Sequence, residues 1–223
     1  WLHALAGPDA ERLQQWIASC SQANIGRLAA ALTIIGPKDV GKSLIACAAA
    51  GLWGVSKPPA ADLMIKQFNA DLLRCPVVLD DEAQLVGSGK LSTRAFRDRA
   101  QEAERSIEHK GKERVQLRGP WRIVLACNGP GDLKFADLSG PDVVDAVADR
   151  LLVIEVPAAR KGACAAALAS LRPARPPPGA DPYKVDLPVL VRHFAWLAET
   201  ARLPVVRFVG SGGDSRRPAL AGH

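Results

Sequence analysis

The chain reads as an α/β protein, a three-layer sandwich whose central, mostly parallel sheet is covered by helices on both faces. Two observations predict this. Apolar runs of strand length alternate with helix-forming segments along the chain. The polar residues best suited to chemistry follow directly after those strands, where ligands bind on parallel sheets.

The elements run as follows. "PDAERLQQWIASCSQANIGRLAA" predicts an amphipathic helix with Pro8 near its start and a turn around Gly26. "AALTIIG" is a β-branched strand, and "KSLIACAAAGLW" is an Ala- and Leu-rich helix with no breaker before Gly51. "LRCPVVLDDEAQL" holds a short strand, Pro76 to Leu79, running into acids. "STRAFRDRAQEAERSIE" predicts a helix capped at Ser92/Thr93 and rich in i,i+4 charge pairs. "HKGKERVQLRG" has hairpin turn signals at Gly111 and Gly119, and "WRIVLACN" is a buried-type strand. "GPDVVDAVADR" is a helix with Pro141 in its first turn, leading to the strand "LLVIEVP". The domain expectations are a helical lead-in over 1–29, a core over 30–158, and a Pro-rich linker over 159–184. A small C-terminal helix–strand appendage is expected over 185–209 and a disordered tail over 210–223.

"GPKDVGKS" meets the pattern G-x-x-x-x-G-K-[ST] at Gly36, Gly41, Lys42 and Ser43, between a strand and a helix as that motif requires. The backbone from Gly36 through Pro37, Lys38, Asp39, Val40 and Gly41 to Leu44 would wrap a phosphate, since a helix start offers unpaired N–H groups and a positive dipole end. Lys42 would reach the β- and γ-phosphates and Ser43 would ligate Mg²⁺, which makes ATP with Mg²⁺ the expected ligand.

Hydrolysis of such a ligand needs one carboxylate at the metal and another at the attacking water. Asp80, Asp81 and Glu82 offer two alignments. In one, Asp80 serves the metal and Asp81 the water; in the other, Asp81 serves the metal and Glu82 is the base. Asn128 ends a strand, where its amide either contacts the γ-phosphate or forms a turn before Gly129. Arg150, before another strand, either stabilises phosphoryl charge, in cis or from a neighbouring subunit, or pairs with Asp149 or Asp145.

Composition sets the bounds. The chain's 223 residues, 48% of them apolar, can bury a proper core, and no apolar run approaches the roughly 18 residues of a membrane span. No secretory signal is visible, and the start on Trp1 reads as a piece of a longer chain. The 5 cysteines are dispersed without ligand spacing, which fits a reducing compartment, and the 4 histidines form no metal-binding set. A net charge of +6 favours anionic partners, nucleic acid above all.

The ordered set "GPKDVGKS", "VVLDDE", "IVLACN" and the Arg before "LLVIEVP" resembles the superfamily 3 helicases, a branch of the AAA+ ATPases. More narrowly, it resembles the ATPase domains of phage- and plasmid-encoded primase–helicases, over about residues 30–210. The resemblance implies a hexameric ring that hydrolyses ATP between subunits, DNA replication as the setting, other replication proteins as partners, and the cytoplasm, that of a bacterial host, as location. It also implies a basic hairpin between the second and third motifs that grips single-stranded or forked DNA, here "EHKGKERV" with Lys110 and Lys112. Against a DNA-unwinding motor stand an ATP-gated loader or regulatory adaptor that does not unwind, and a small-molecule kinase, for which the sequence lacks a lid of clustered arginines.

Overall fold

A computed structural model describes residues 1–21, 31–82, 92–135, 137, 140–172 and 187–200. Its centre is a four-stranded parallel sheet of β1 (Ala31–Ile35), β2 (Val77–Asp81), β5 (Arg122–Cys127) and β6 (Leu151–Glu155), in the order β2-β5-β1-β6. A separate antiparallel hairpin joins β3 (Glu104–Ile107) to β4 (Val115–Arg118).

Both faces of the large sheet are buried, so its strands are mostly apolar, and the pleat sends successive side chains into two cores. Leu32, Ile34, Val77, Val124, Leu152 and Ile154 point to one face. There they meet α1 (Leu2–Ala6), α2 (Ala10–Ser19), α3 (Lys42–Gly51) and α7 (Leu187–Thr200). Ala31, Ile35, Val78, Ile123, Leu125 and Leu151 point to the other face, under α4 (Thr93–Gln101) and α5 (Pro141–Ala148). Helix α7 adds Leu190, Phe194 and Leu197 to the first core and packs on α2 and α3. The strand expected after it, the tail and the turn at Gly26 lie outside the described residues.

Three sequence expectations are corrected here. The lead-in is helical from Leu2, with Pro8 in a short 3₁₀ turn between α1 and α2. The helix expected from Ser92 towards Glu108 ends at Gln101, and Glu104–Ile107 becomes strand. That segment pairs in register with Val115–Arg118, and Asn69 clamps its end: its side chain accepts from Glu108 N at 2.8 Å and donates to the Ser106 carbonyl at 3.2 Å. These tertiary hydrogen bonds outweigh local helix preference. The linker expected from 159 opens instead with helix α6 (Lys161–Ala169), whose Ala-rich sequence needs no breaker until the prolines beyond it.

Candidate nucleotide-binding site

The carboxyl ends of β1, β2 and β5 frame a cleft of about 300 Å³. It is lined by the loop residues Lys38, Asp39 and Gly41 to Leu44, by Asp81 and Glu82 after β2, and by Ala126 and Asn128 of β5 and its end. The loop leaves β1 at Gly36, whose N–H donates to the Cys127 carbonyl at 3.0 Å. A Cβ at Gly36 would come within 2.7 Å of the Val156 side chain, so glycine is required for this close approach. Gly41 has φ 94°, a left-handed conformation that starts α3. Val40 is fully buried beneath the loop.

Pleat phase decides which acid faces the cleft. Val77, Leu79 and Asp81 share the α3 side of the sheet, while Val78 and Asp80 share the other. The Ser43 hydroxyl, in the first turn of α3, donates to Asp81 Oδ1 at 2.8 Å. Asp80 is buried and does not line the cleft. Strand β2 runs to Asp81, two residues past its expected end at Leu79. Glu82 then turns out at φ 57°, a left-handed conformation that costs a non-glycine residue about 1 kcal/mol or more. Its carboxylate lies 3.8 Å from Lys38 Nζ.

The same phase applies on β5, where Val124, Ala126 and Asn128 follow one another on the α3 side. Asn128 Oδ1 accepts from Lys42 Nζ at 3.1 Å. The Lys42 ammonium also donates to the carbonyls of Gly36 at 2.8 Å and Pro37 at 2.9 Å. Burial pushes the Lys42 pKa down, against the pull of Asp81, and the smaller pulls of Asp39 and Glu82.

Two contributors carry no sequence motif. Trp1 lays its indole on Gly41, where a Cβ would approach it to 2.8 Å, and donates to the Val40 carbonyl at 3.2 Å. Asp132 Oδ2 accepts from the N–H groups of Asn128 at 2.8 Å and Gly129 at 3.0 Å. The only available signal for Asp132 was its place four residues after a strand-ending Asn, in a turn with Gly and Pro.

Arg150 is not brought to this cleft. It precedes β6, whose first residue Leu151 pairs with Ala31, so it sits at the amino end of the sheet, one strand length or about 15 Å from the loop. Its guanidinium donates to the Ala146 carbonyl, and its pKa is lowered first by burial and then by the neighbouring Arg97. Lys110 and Lys112 are exposed in the turn of the β3–β4 hairpin, where Arg114 pairs with Glu108 at 2.8 Å. Among the described residues, no helix is long and apolar enough to cross a membrane, and no cluster of three or more His, Cys, Asp and Glu could hold a metal.

No family model and no curated protein matches this chain. Among solved structures, the apo structure of the NrS-1 C-terminal region is similar at 18% identity and a TM-score of 0.58, covering 92% of this chain and 45% of that one. The A form apo structure of that region is similar at 14% identity and a TM-score of 0.55, covering 88% and 43%. JCV helicase is similar at 17% identity and a TM-score of 0.44, covering 89% and 58%. The chain thus spans less than half the length of the NrS-1 region it matches. The likeness shows the fold alone: a central, parallel α/β sheet covered by helices, as in the NrS-1 C-terminal region.

Proposed function

We propose that this chain is an ATP-driven, ring-forming DNA helicase or translocase domain of a phage- or plasmid-type replication protein. The observation that carries the reading is the 2.8 Å contact between Ser43 and Asp81, which brings the loop motif and the acidic motif to one point beside Lys42 and Asn128. A hydroxyl and a carboxylate oxygen form a donor set that suits a hard divalent cation, so Ser43 and Asp81 would hold Mg²⁺. Bound with the nucleotide, that ion offsets charge on the phosphate oxygens.

The pleat of β2 supports the second alignment of the acids. Asp81 serves the metal, and Glu82, at the rim of the cleft, polarises the attacking water. Asp80 is buried on the other face and is left outside the cleft. Lys42 exchanges its contacts with the Gly36 and Pro37 carbonyls for phosphate oxygens, and the loop amides from Gly36 to Leu44 wrap the triphosphate. Asn128 reads the γ-phosphate position from the neighbouring strand.

Arg150 is too far from its own cleft to act there, which supports a role on the neighbouring subunit's γ-phosphate and hence a closed ring, in the hexameric form the resemblance implies. Lys110 and Lys112 grip the backbone of single-stranded or forked DNA by charge. The test is strand displacement on a forked DNA by the purified protein and its Glu82→Gln variant. The expected outcome is ATP-dependent displacement that Glu82→Gln abolishes while nucleotide binding persists. ATP hydrolysis with assembly but no displacement would move the assignment to a loader or regulatory adaptor.

A further inference from the structure

We propose that Asp132 is a positioning residue for Asn128: its carboxylate fixes the backbone from which the Asn128 amide reaches the γ-phosphate site. The inference rests on the nucleotide reading above and goes beyond it by naming what holds the phosphate-reading side chain in place.

The need for such a device is visible in the backbone. Strand β5 ends at Cys127, whose carbonyl takes the Gly36 N–H, so the next amides, Asn128 and Gly129, lie past the sheet ladder. A single carboxylate oxygen, Asp132 Oδ2, accepts from both, at 2.8 and 3.0 Å. The return path is a short 3₁₀ turn, Pro130–Asp132, closed by Asp132 N–H donating to the Gly129 carbonyl at 3.1 Å. Packing does not hold this turn. A Cβ placed on Gly129 or on Gly131 would meet nothing within 4 Å. The constraint is therefore the Asp132 carboxylate together with the turn's backbone hydrogen bonds and the fixed φ of Pro130, until Leu133 buries itself in the second core.

What the clamp sets is direction. Asn128 Oδ1 stands 3.1 Å from Lys42 Nζ, and Lys42 is tied to the Gly36 and Pro37 carbonyls. Releasing the Asn128 N–H lets that backbone rotate and swings the amide away from the loop. Misplacement of a reacting group by about 1 Å costs on the order of a hundredfold in rate. Asp132 itself does not line the cleft, so it acts through Asn128 and not on the phosphate.

The experiment compares Asn128→Ala, Asp132→Ala, Asp132→Asn and the Asn128→Ala/Asp132→Ala pair, reading kcat and the Kd of a fluorescent ATP analogue, with a melting curve for each. Asn128→Ala should lower kcat about a hundredfold, and Asp132→Ala about tenfold with Kd changed less than about twofold. Asp132→Asn keeps a neutral acceptor oxygen and should recover most of the rate. The pair should be no slower than Asn128→Ala alone, because the clamp has nothing left to aim. If Asp132→Ala does not fold, Asp132→Ser, whose hydroxyl is too short to reach both N–H groups, carries the test alone and with Asn128→Ala: its loss of kcat must vanish in the Asn128→Ala background. Full kcat in Asp132→Ala, or losses that simply multiply in the pair, would overturn the role of Asp132. Full turnover in Asn128→Ala would instead overturn the assignment of Asn128 beneath it.

Discussion

The two ends of the central sheet handle charge in opposite ways. At the carboxyl end every functional group named above finds a partner within the chain: Lys42 donates to Gly36, Pro37 and Asn128, and Ser43 donates to Asp81. At the amino end, the buried Nε atoms of Arg150 and of Arg97 have no hydrogen-bond partner among the described residues, and the two guanidiniums push against each other. A buried donor left unpaired costs about 1–3 kcal/mol, so the second arrangement carries a cost that the first avoids. The difference teaches where each end's counter-charge comes from. At the cleft the partners are side chains and carbonyls of the same loop and strand ends. At the arginine end the nearby counter-charges are the carboxylates of Asp149 and Asp98, and they leave both Nε atoms without a partner among the described residues.

The largest effect that could break this contrast is at the cleft. Lys42→Ala removes the cation and its contacts together, and ATP turnover should fall about a thousandfold, read as phosphate release. Unchanged turnover would mean that the cleft is not the active site. Arg150→Ala should lower turnover by a factor on the order of 10³ at saturating ATP, while ATP affinity of the isolated subunit stays unchanged. Mixing the two inactive variants sharpens the comparison. If the sheet's two ends serve different active sites, mixed assemblies contain interfaces with an intact Lys42 on one subunit and an intact Arg150 on the next, and turnover should reappear. No recovery on mixing would place Arg150 outside the reaction.

The same contrast explains what was legible in the sequence. The loop was readable because its demands are local: glycine for close approach at Gly36, φ 94° at Gly41, and a lysine and a hydroxyl at the helix start. The acids were readable as a cluster, but the choice between Asp80 and Asp81 depended on the pleat phase of β2, which is set by its pairing with β5. Composition alone could not supply that register. Glu104–Ile107 looked helical because its stabilising bonds come from Asn69 and from Val115–Arg118, distant in sequence. Helix α6 was hidden by the prolines that follow it. Trp1 and Asp132 act through contacts with backbone atoms, for which no residue pattern exists.

A third region, the hairpin, gives a smaller effect. Lys110 and Lys112 are exposed, and each phosphate contact by a basic side chain adds about 0.7 to the log–log salt slope on single strands. The Lys110→Ala/Lys112→Ala pair should therefore lower that slope by about 1.4 in a DNA-binding titration, with basal ATP turnover unchanged. An unchanged slope would remove the hairpin from the DNA path. Asn69→Ala, which frees the turn end of β3, should weaken the fold by about 1–2 kcal/mol in urea unfolding without altering nucleotide affinity.

The smallest effect separates the two ends by pH. Cys127 sits under Asn128 at the carboxyl end of β5, and its thiol is pushed up to about 12 by burial, then by the carboxylates of Asp132 and Asp80, against the opposing pull of Lys42. Near the amino end, Cys20 is also pushed up to about 12 by burial, but there the nearby Arg122 pulls it down. A thiol raised in the folded state keeps its proton when the unfolded chain, at about 9, has lost it. The unfolded state therefore binds fewer protons above pH 9, and stability falls as pH rises, by about 1.4 kcal/mol per pH unit for each thiol. Between pH 8 and pH 10, Cys127→Ala should lose about 1 kcal/mol less than the wild type in urea unfolding, whatever its stability at pH 8. Equal losses would mean that the Cys127 thiol is not held in its neutral form.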